Sequence, residues 1–178
     1  MDFHAGRSRG CSLALQGRRS GAGRTLAGWL QQAGFPHGPE HKWPYLSAVW
    51  LSSLTRCFPG PSKGGNGDRA PSAKEIALCR SFLDEEIAAV DPRIIILVGA
   101  MAARAFLGPI KLDDAVGSRF EWRGRALIPF PHSSGVSRWS NVAENRAKID
   151  RAVDLLRAEW EQLAPSTGPD KPPPLRAL

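Results

Sequence analysis

The stretch Pro131-His132-Ser133-Ser134-Gly135-Val136-Ser137-Arg138 concentrates residue types that can do chemistry. Histidine donates or accepts at either ring nitrogen, hydroxyls and an arginine suit phosphate oxygens, and a glycine lets backbone come close to another surface. A lone histidine after an apolar strand is more often a satisfied polar end than a catalyst. The Ser-Ser-Gly-x-Ser-Arg sequence that follows it shifts the reading toward a loop that handles nucleic acid. Ser133 beside His132 superficially suggests a nucleophile and its base. Neighbours on extended chain point apart, however, and no G-x-S-x-G elbow exists, so that reading is rejected.

Three cysteines, Cys11, Cys57 and Cys79, form the second chemically notable set. An odd number at wide spacing fits neither a secreted disulfide framework nor a C-x-x-C zinc half-site. On the bland reading Cys57 and Cys79 are small buried hydrophobes, and Cys79 lies on the apolar face of a helix. The net charge of +7 and a pI of about 9.9 draw polyanions toward the surface, which permits nucleic acid as a partner without singling it out. No run approaches the roughly 18 apolar residues of a membrane span, and residues 1–10 lack the apolar core of a signal peptide. A cytoplasmic, monomeric protein is expected.

The elements that must position these residues follow from periodicity. Leu26, Trp29 and Leu30 have helical spacing before Gly34, predicting a short helix over residues 25–33. Residues 45–55 are β-rich and predict a strand running into Cys57-Phe58-Pro59-Gly60, and the glycine-bearing residues 64–69 predict a mobile loop. Pro71-Ser72-Ala73-Lys74-Glu75 is a capping box that opens a helix, with Ile76, Cys79, Phe82, Leu83, Ile87 and Val90 on one face, ended by Asp91-Pro92. Ile94 to Val98 is a β-branched run of the kind covered on both faces in a central parallel strand. Gly99 turns it into a helix over 100–107, closed by Gly108. Residues 120–122 and 126–130 flank Arg123-Gly124-Arg125 as a hairpin whose second arm delivers His132. A last helix over 142–163 carries Ile149, Val153, Leu156, Trp160 and Leu163 on one face.

Three parts are expected: a poorly ordered segment 1–23 in which residues 11–15 could at best be a strand, a domain over 24–163, and a Pro-rich tail over 164–178. The alternation of helices and strands predicts an α/β fold, a three-layer α/β/α sandwich around a short, mostly parallel sheet. Sites in such sheets lie at the carboxyl ends of the strands. Two loops there stand out, residues 52–60 and 131–138.

From residue 49 to 141 the sequence resembles the bacterial uracil-DNA glycosylases, especially the branch that carries an iron-sulfur cluster. The resemblance rests on Thr55-Arg56-Cys57-Phe58-Pro59-Gly60, Pro71-Ser72, Ala77-Leu78-Cys79-Arg80 and Asp91-Pro92-Arg93 before the strand. His132 to Trp139 completes it, all in the family's order and spacing. It implies that His132 is the donor that stabilises charge on the departing pyrimidine, and that Ser53 stands where the family reads the base edge. It further implies that Ser134, Gly135, Val136, Ser137 and Arg138 hold the distorted DNA backbone, with Val136 as the wedge. It also implies that Cys57 and Cys79 correspond to two of the four thiolate ligands of a 4Fe-4S centre.

The departures are specific. Ser133 replaces the proline of the family's usual His-Pro-Ser, and the earlier C-x-x-C pair is absent. No acidic residue lies between Phe3 and Glu40, where the family has a water-positioning acidic loop and a stacking aromatic. That pattern is what truncation or a shifted reading frame before about residue 17 produces. The expected function is hydrolysis of the N-glycosidic bond of a flipped-out uracil in DNA. The alternatives are an impaired homologue that only binds DNA, and a nucleotide-binding α/β protein unrelated to repair.

Overall fold

A computed structural model describes residues 21–36, 48–64, 67–134 and 138–163, the side chain of Arg138 excepted. The expected strand at 11–15, the tail over 164–178 and the predicted DNA-contacting residues Gly135, Val136 and Ser137 lie outside the described residues. The chain divides into two compact units, with described parts at 50–64 and 67–91 in unit 1 and the remainder in unit 2.

Unit 1 is built on α2 (Ala73–Val90). Its capping box forms as read: Ser72 Oγ accepts from the Glu75 amide and Glu75 reaches back to the Ser72 amide at 2.7 Å. The helix stops at Asp91, as expected before Pro92, with a left-handed cap at a φ of 46°. Residues 48–55, expected as strand, form no ladder. Trp50 Nε1 and Ser52 Oγ, two positions apart, instead donate to Glu86 on α2. Extended backbone becomes strand only with a partner to pair with, and here the side chains fix the segment instead. The loop expected over 64–69 is bracketed by two backbone hydrogen bonds among the described residues. Ser62 donates to the Gly67 carbonyl at 2.9 Å and Arg69 to the Gly60 carbonyl at 3.0 Å, which closes its base. Leu83 is the buried large apolar residue of this unit among the described residues. Phe82, expected on the apolar face, is 56% exposed.

Unit 2 contains α1 (Gly21–Gln32), β1 (Ile94–Val98), α3 (Ala100–Leu107), α4 (Leu112–Ala115), β2 (Phe120–Trp122), β3 (Arg125–Phe130) and α5 (Ala143–Leu163). A 3-10 turn, Arg138–Asn141, precedes α5. The sheet order is β1-β3-β2, with β1 parallel and β2 antiparallel to β3. The hairpin between β2 and β3 turns on Arg123 and Gly124, both at positive φ, the two-residue turn whose twist suits the strands.

Register assigns the faces. Ile94, Ile96 and Val98 stand opposite Ala126, Ile128 and Phe130, so these share one side of the sheet. Ile128 and Phe130 pack there with Trp29 and Leu30 of α1 and with Ile149, Ala152, Val153 and Leu156 of α5. Trp122 stands opposite Arg125 on the other side, and Phe106 of α3 meets Trp122 edge-on with ring centroids 5.3 Å apart. Two helices cover one face and one helix the other, so unit 2 is itself an α/β/α sandwich. The central strand is β3, buried throughout from Ala126 to Phe130, whereas β1 has only Leu97 buried. The β-branched run of Ile94 to Val98 predicts β1 in the central place that β3 occupies. Among the described residues β1 pairs on one side only, which leaves it half covered.

Candidate active site

β1 and β3 run parallel and end together: Val98 stands opposite Phe130, and the next amide, Gly99, donates to the Phe130 carbonyl at 2.8 Å. The chain leaving β3 therefore emerges beside the turn leaving β1, at the carboxyl end of the sheet. Pro131 and Ser133 are buried there, and His132 between them is exposed. Gly99 sits against the ring at a φ of 90°, and a Cβ built on it would meet His132 Cδ2 at 3.4 Å. The glycine serves both a backbone conformation that side chains disfavour and the close approach of the imidazole.

Ser134 determines how the imidazole is protonated. Its backbone amide donates to His132 Nδ1 at 3.1 Å, and its hydroxyl lies 2.7 Å from the same nitrogen. A backbone amide can only donate, so Nδ1 is an acceptor and the neutral ring carries its proton on Nε2. With Nδ1 accepting, the neutral His132 ring has its Nε2–H available as a donor.

His132 lines a cavity of about 420 Å³, within the roughly 300–1,000 Å³ of small-molecule sites. Thr25, Trp29 and Gln32 enter it from one face of α1, and Arg146, Ile149 and Asp150 from one face of α5. Ser140 of the 3-10 turn completes that side. Trp29 is held by Phe130, ring centroids 5.0 Å apart. The α5 wall is pinned as well. Trp139 Nε1 donates to Asp113 at 2.6 Å, Lys148 Nζ to the Asp113 carbonyl at 2.9 Å, and Asn145 to the Trp139 carbonyl at 2.9 Å. Gly117, at a φ of 84°, packs against the Lys148 backbone, where a Cβ would come within 3.0 Å of the carbonyl oxygen. A family model for the uracil DNA glycosylase superfamily matches residues 7–163.

The chain belongs to the uracil DNA glycosylase superfamily.

Among curated proteins it is similar to a type-5 uracil-DNA glycosylase of Pyrobaculum aerophilum, 27% identical over 115 residues. Those residues make up 63% of this chain, and the chain spans 46% of that relative's length. The glycosylase fold brings His132, Ser133 and Ser134 into one cavity, while Ser53, Cys57 and Cys79 belong to unit 1. Ser53 is exposed and spends its hydroxyl proton on the Thr55 carbonyl at 2.6 Å. Cys57 and Cys79 line one cavity of about 140 Å³ together with Thr55, Pro59, Pro71, Glu75 and Leu78, and the Arg56 amide approaches Cys79 Sγ at 3.5 Å. Arg138 opens the 3-10 turn.

Around these residues, unit 1 forms the ion pairs Arg56–Glu86, Arg69–Glu75 and Arg80–Asp84 among the described residues. Burial pushes the Glu86 carboxyl up, but hydrogen bonds from Arg56, Ser52 and Trp50 outweigh it and hold the group below its ordinary range. Glu75 is held well below the carboxylate range by Arg69 and then by the Ser72 amide and hydroxyl.

Sequence reasoning missed Thr25, Gln32, Ser140, Arg146 and Asp150 as cavity residues, and read Trp29 only as core. Each sits at ordinary helical or turn spacing. The sequence carried no sign that α1 and α5 flank the same strand end.

Proposed function

We propose that this superfamily member hydrolyses the N-glycosidic bond of uracil flipped out of DNA, a step of base excision repair. The observation that carries the reading is that His132, whose Nδ1 accepts from the Ser134 amide and so leaves Nε2–H as the donor of the neutral ring, lines a cavity that Trp29 also lines. A base removed from the stack needs a surface along its face and a donor at its edge, and charge that builds on a departing pyrimidine is stabilised by a donor already in place. No reorganisation is required of His132, since Ser134 fixes its tautomer beforehand. Ser53 as a reader of the base edge, and Ser134, Gly135, Val136, Ser137 and Arg138 as the grip on the DNA backbone, are part of the same proposal. The hydroxyl of Ser134 has one proton, given to His132 here, so its grip on phosphate would come from the amide or by releasing that bond.

The second reading is a homologue that binds DNA without cutting it, favoured by the lack of any acidic residue between Phe3 and Glu40. A uracil-containing single-stranded oligonucleotide separates the two. Release of free uracil that is lost in His132→Ala supports the enzyme; salt-sensitive binding without release supports the binder.

The resemblance also implies a 4Fe-4S cluster, which takes four thiolates. The 178 residues contain three cysteines, and the cavity shared by Cys57 and Cys79 brings together two. Among the described residues no group of three or more metal-ligating side chains forms. Cys57 and Cys79 fit half of such a ligand set, and these residues do not complete it. We therefore expect anaerobically prepared protein to be colourless and free of iron. Roughly four irons per chain with visible absorption would show that the set is completed from elsewhere.

A further inference from the structure

Cleaving an N-glycosidic bond sends the bonding electron pair to the base and leaves cationic character on the sugar. His132 answers the first charge. The second needs an anion, and the segment in which the resemblance places an acidic residue contains none. The cavity supplies one from another direction. Asp150 lines it from α5, one turn beyond Arg146, and is its single carboxylate among the described lining residues. Among the described residues no hydrogen bond or ion pair engages its exposed carboxylate, whereas Arg146 donates to the Asn141 carbonyl at 3.3 Å and the next acid of the helix, Asp154, is paired with Arg157 at 2.7 Å.

A free carboxylate is also a poor choice for a surface that only binds DNA. It repels the phosphates that the +7 chain otherwise attracts. Its presence in the His132 cavity is explained if the group meets positive charge there.

We propose that Asp150 faces the deoxyribose of the flipped nucleotide, where it stabilises the cationic sugar and holds the attacking water. This rests on the glycosylase reading above. The bond from the sugar C1′ to the uracil nitrogen breaks, and its electron pair leaves with uracil, whose carbonyl oxygen takes the hydrogen bond of His132 Nε2–H. The water oxygen then bonds to C1′ and gives one proton to Asp150, which passes it to solvent. Uracil takes up a proton from solvent, so one water is consumed in all.

The test compares two oligonucleotides by fluorescence anisotropy, one with a cationic pyrrolidine in place of the abasic sugar and one with neutral tetrahydrofuran. The full chain should prefer the cationic one by roughly tenfold. Asp150→Asn should lose that preference, bind the neutral oligonucleotide at least as tightly, and lower kcat for uracil release by roughly tenfold or more without raising KM. Asp154→Asn should change none of these. Unchanged circular dichroism and melting of both variants exclude misfolding as the cause. A preference that survives in Asp150→Asn, or that the wild type lacks, overturns the inference. If uracil is released and the preference survives, the inference alone falls. If no uracil is released but Asp150 governs the preference, the glycosylase reading falls and with it the water-holding role, while the placement of Asp150 against the sugar stands. Absence of DNA binding at low salt overturns both.

Discussion

Around Glu86 in unit 1, Trp50, Ser52 and Arg56 converge on one carboxylate, and Leu83 is the large apolar residue buried among the described ones. Around Phe130 in unit 2, two helices close on a strand and bury Leu30, Ile128, Ala152 and Leu156 completely, and the loop carrying His132 extends from that core. Trp50, Phe58, Leu78 and Phe82 of unit 1 are each more than half exposed. One region thus relies mainly on charge and hydrogen bonds near solvent, which acid and salt weaken, and the other mainly on packing, which depends little on either. The donor expected to do chemistry is mounted on the packed region. A catalytic hydrogen bond misplaced by an ångström loses much of its value, which is reason to carry it on a rigid core.

Leu156→Ala should have the largest effect, destabilising unit 2 by about 2–5 kcal/mol through the cavity it leaves. Urea unfolding followed by tryptophan fluorescence checks this, and a loss below about 1 kcal/mol would contradict a close-packed α5. Gly99→Ala comes next. An alanine at a φ of 90° is strained, by of order 1–3 kcal/mol, and its methyl presses on the imidazole edge. It should therefore slow uracil release beyond what its lower melting temperature explains. Ser72→Ala removes the cap of α2 and should cost unit 1 about 1 kcal/mol, readable as lost amide protection in the first turn of that helix.

Glu86→Gln is the smallest and the most diagnostic, with roughly 0.2–1 kcal/mol lost at neutral pH. The folded state holds Glu86 below its ordinary pKa. Its contribution is fully present above about pH 4.3 and disappears as pH falls through the lower folded value. Hydrogen exchange of α2 should thus show wild type and variant differing at neutral pH and converging in acid. An equal gap at all pH values would mean that Glu86 does not act through its charge.

Much of this architecture was legible locally. The capping box at Ser72, the stop at Asp91, the Arg123-Gly124 hairpin and the α5 apolar face each depend on residues a few positions apart. What was not legible depends on pairing across distance. Residues 48–55 have strand-like residues but no ladder, since Trp50 and Ser52 go to Glu86. Ile94 to Val98 look central by composition, yet β3, with proline at position 129, is the strand buried on both faces. At the site, His132 and its loop were readable from type and order. Its tautomer depends on the path of the next two residues, and Asp150 reaches the cavity only because α5 folds back along β3.

The most direct test is the single-turnover rate of uracil release from single-stranded DNA by wild type, Ser134→Ala and His132→Ala. Measurable wild-type release is predicted, reduced roughly hundredfold or more by His132→Ala and by less in Ser134→Ala, where the backbone amide still holds Nδ1. Release that His132→Ala leaves at the wild-type rate would contradict the assignment of His132 as the donor to the departing base.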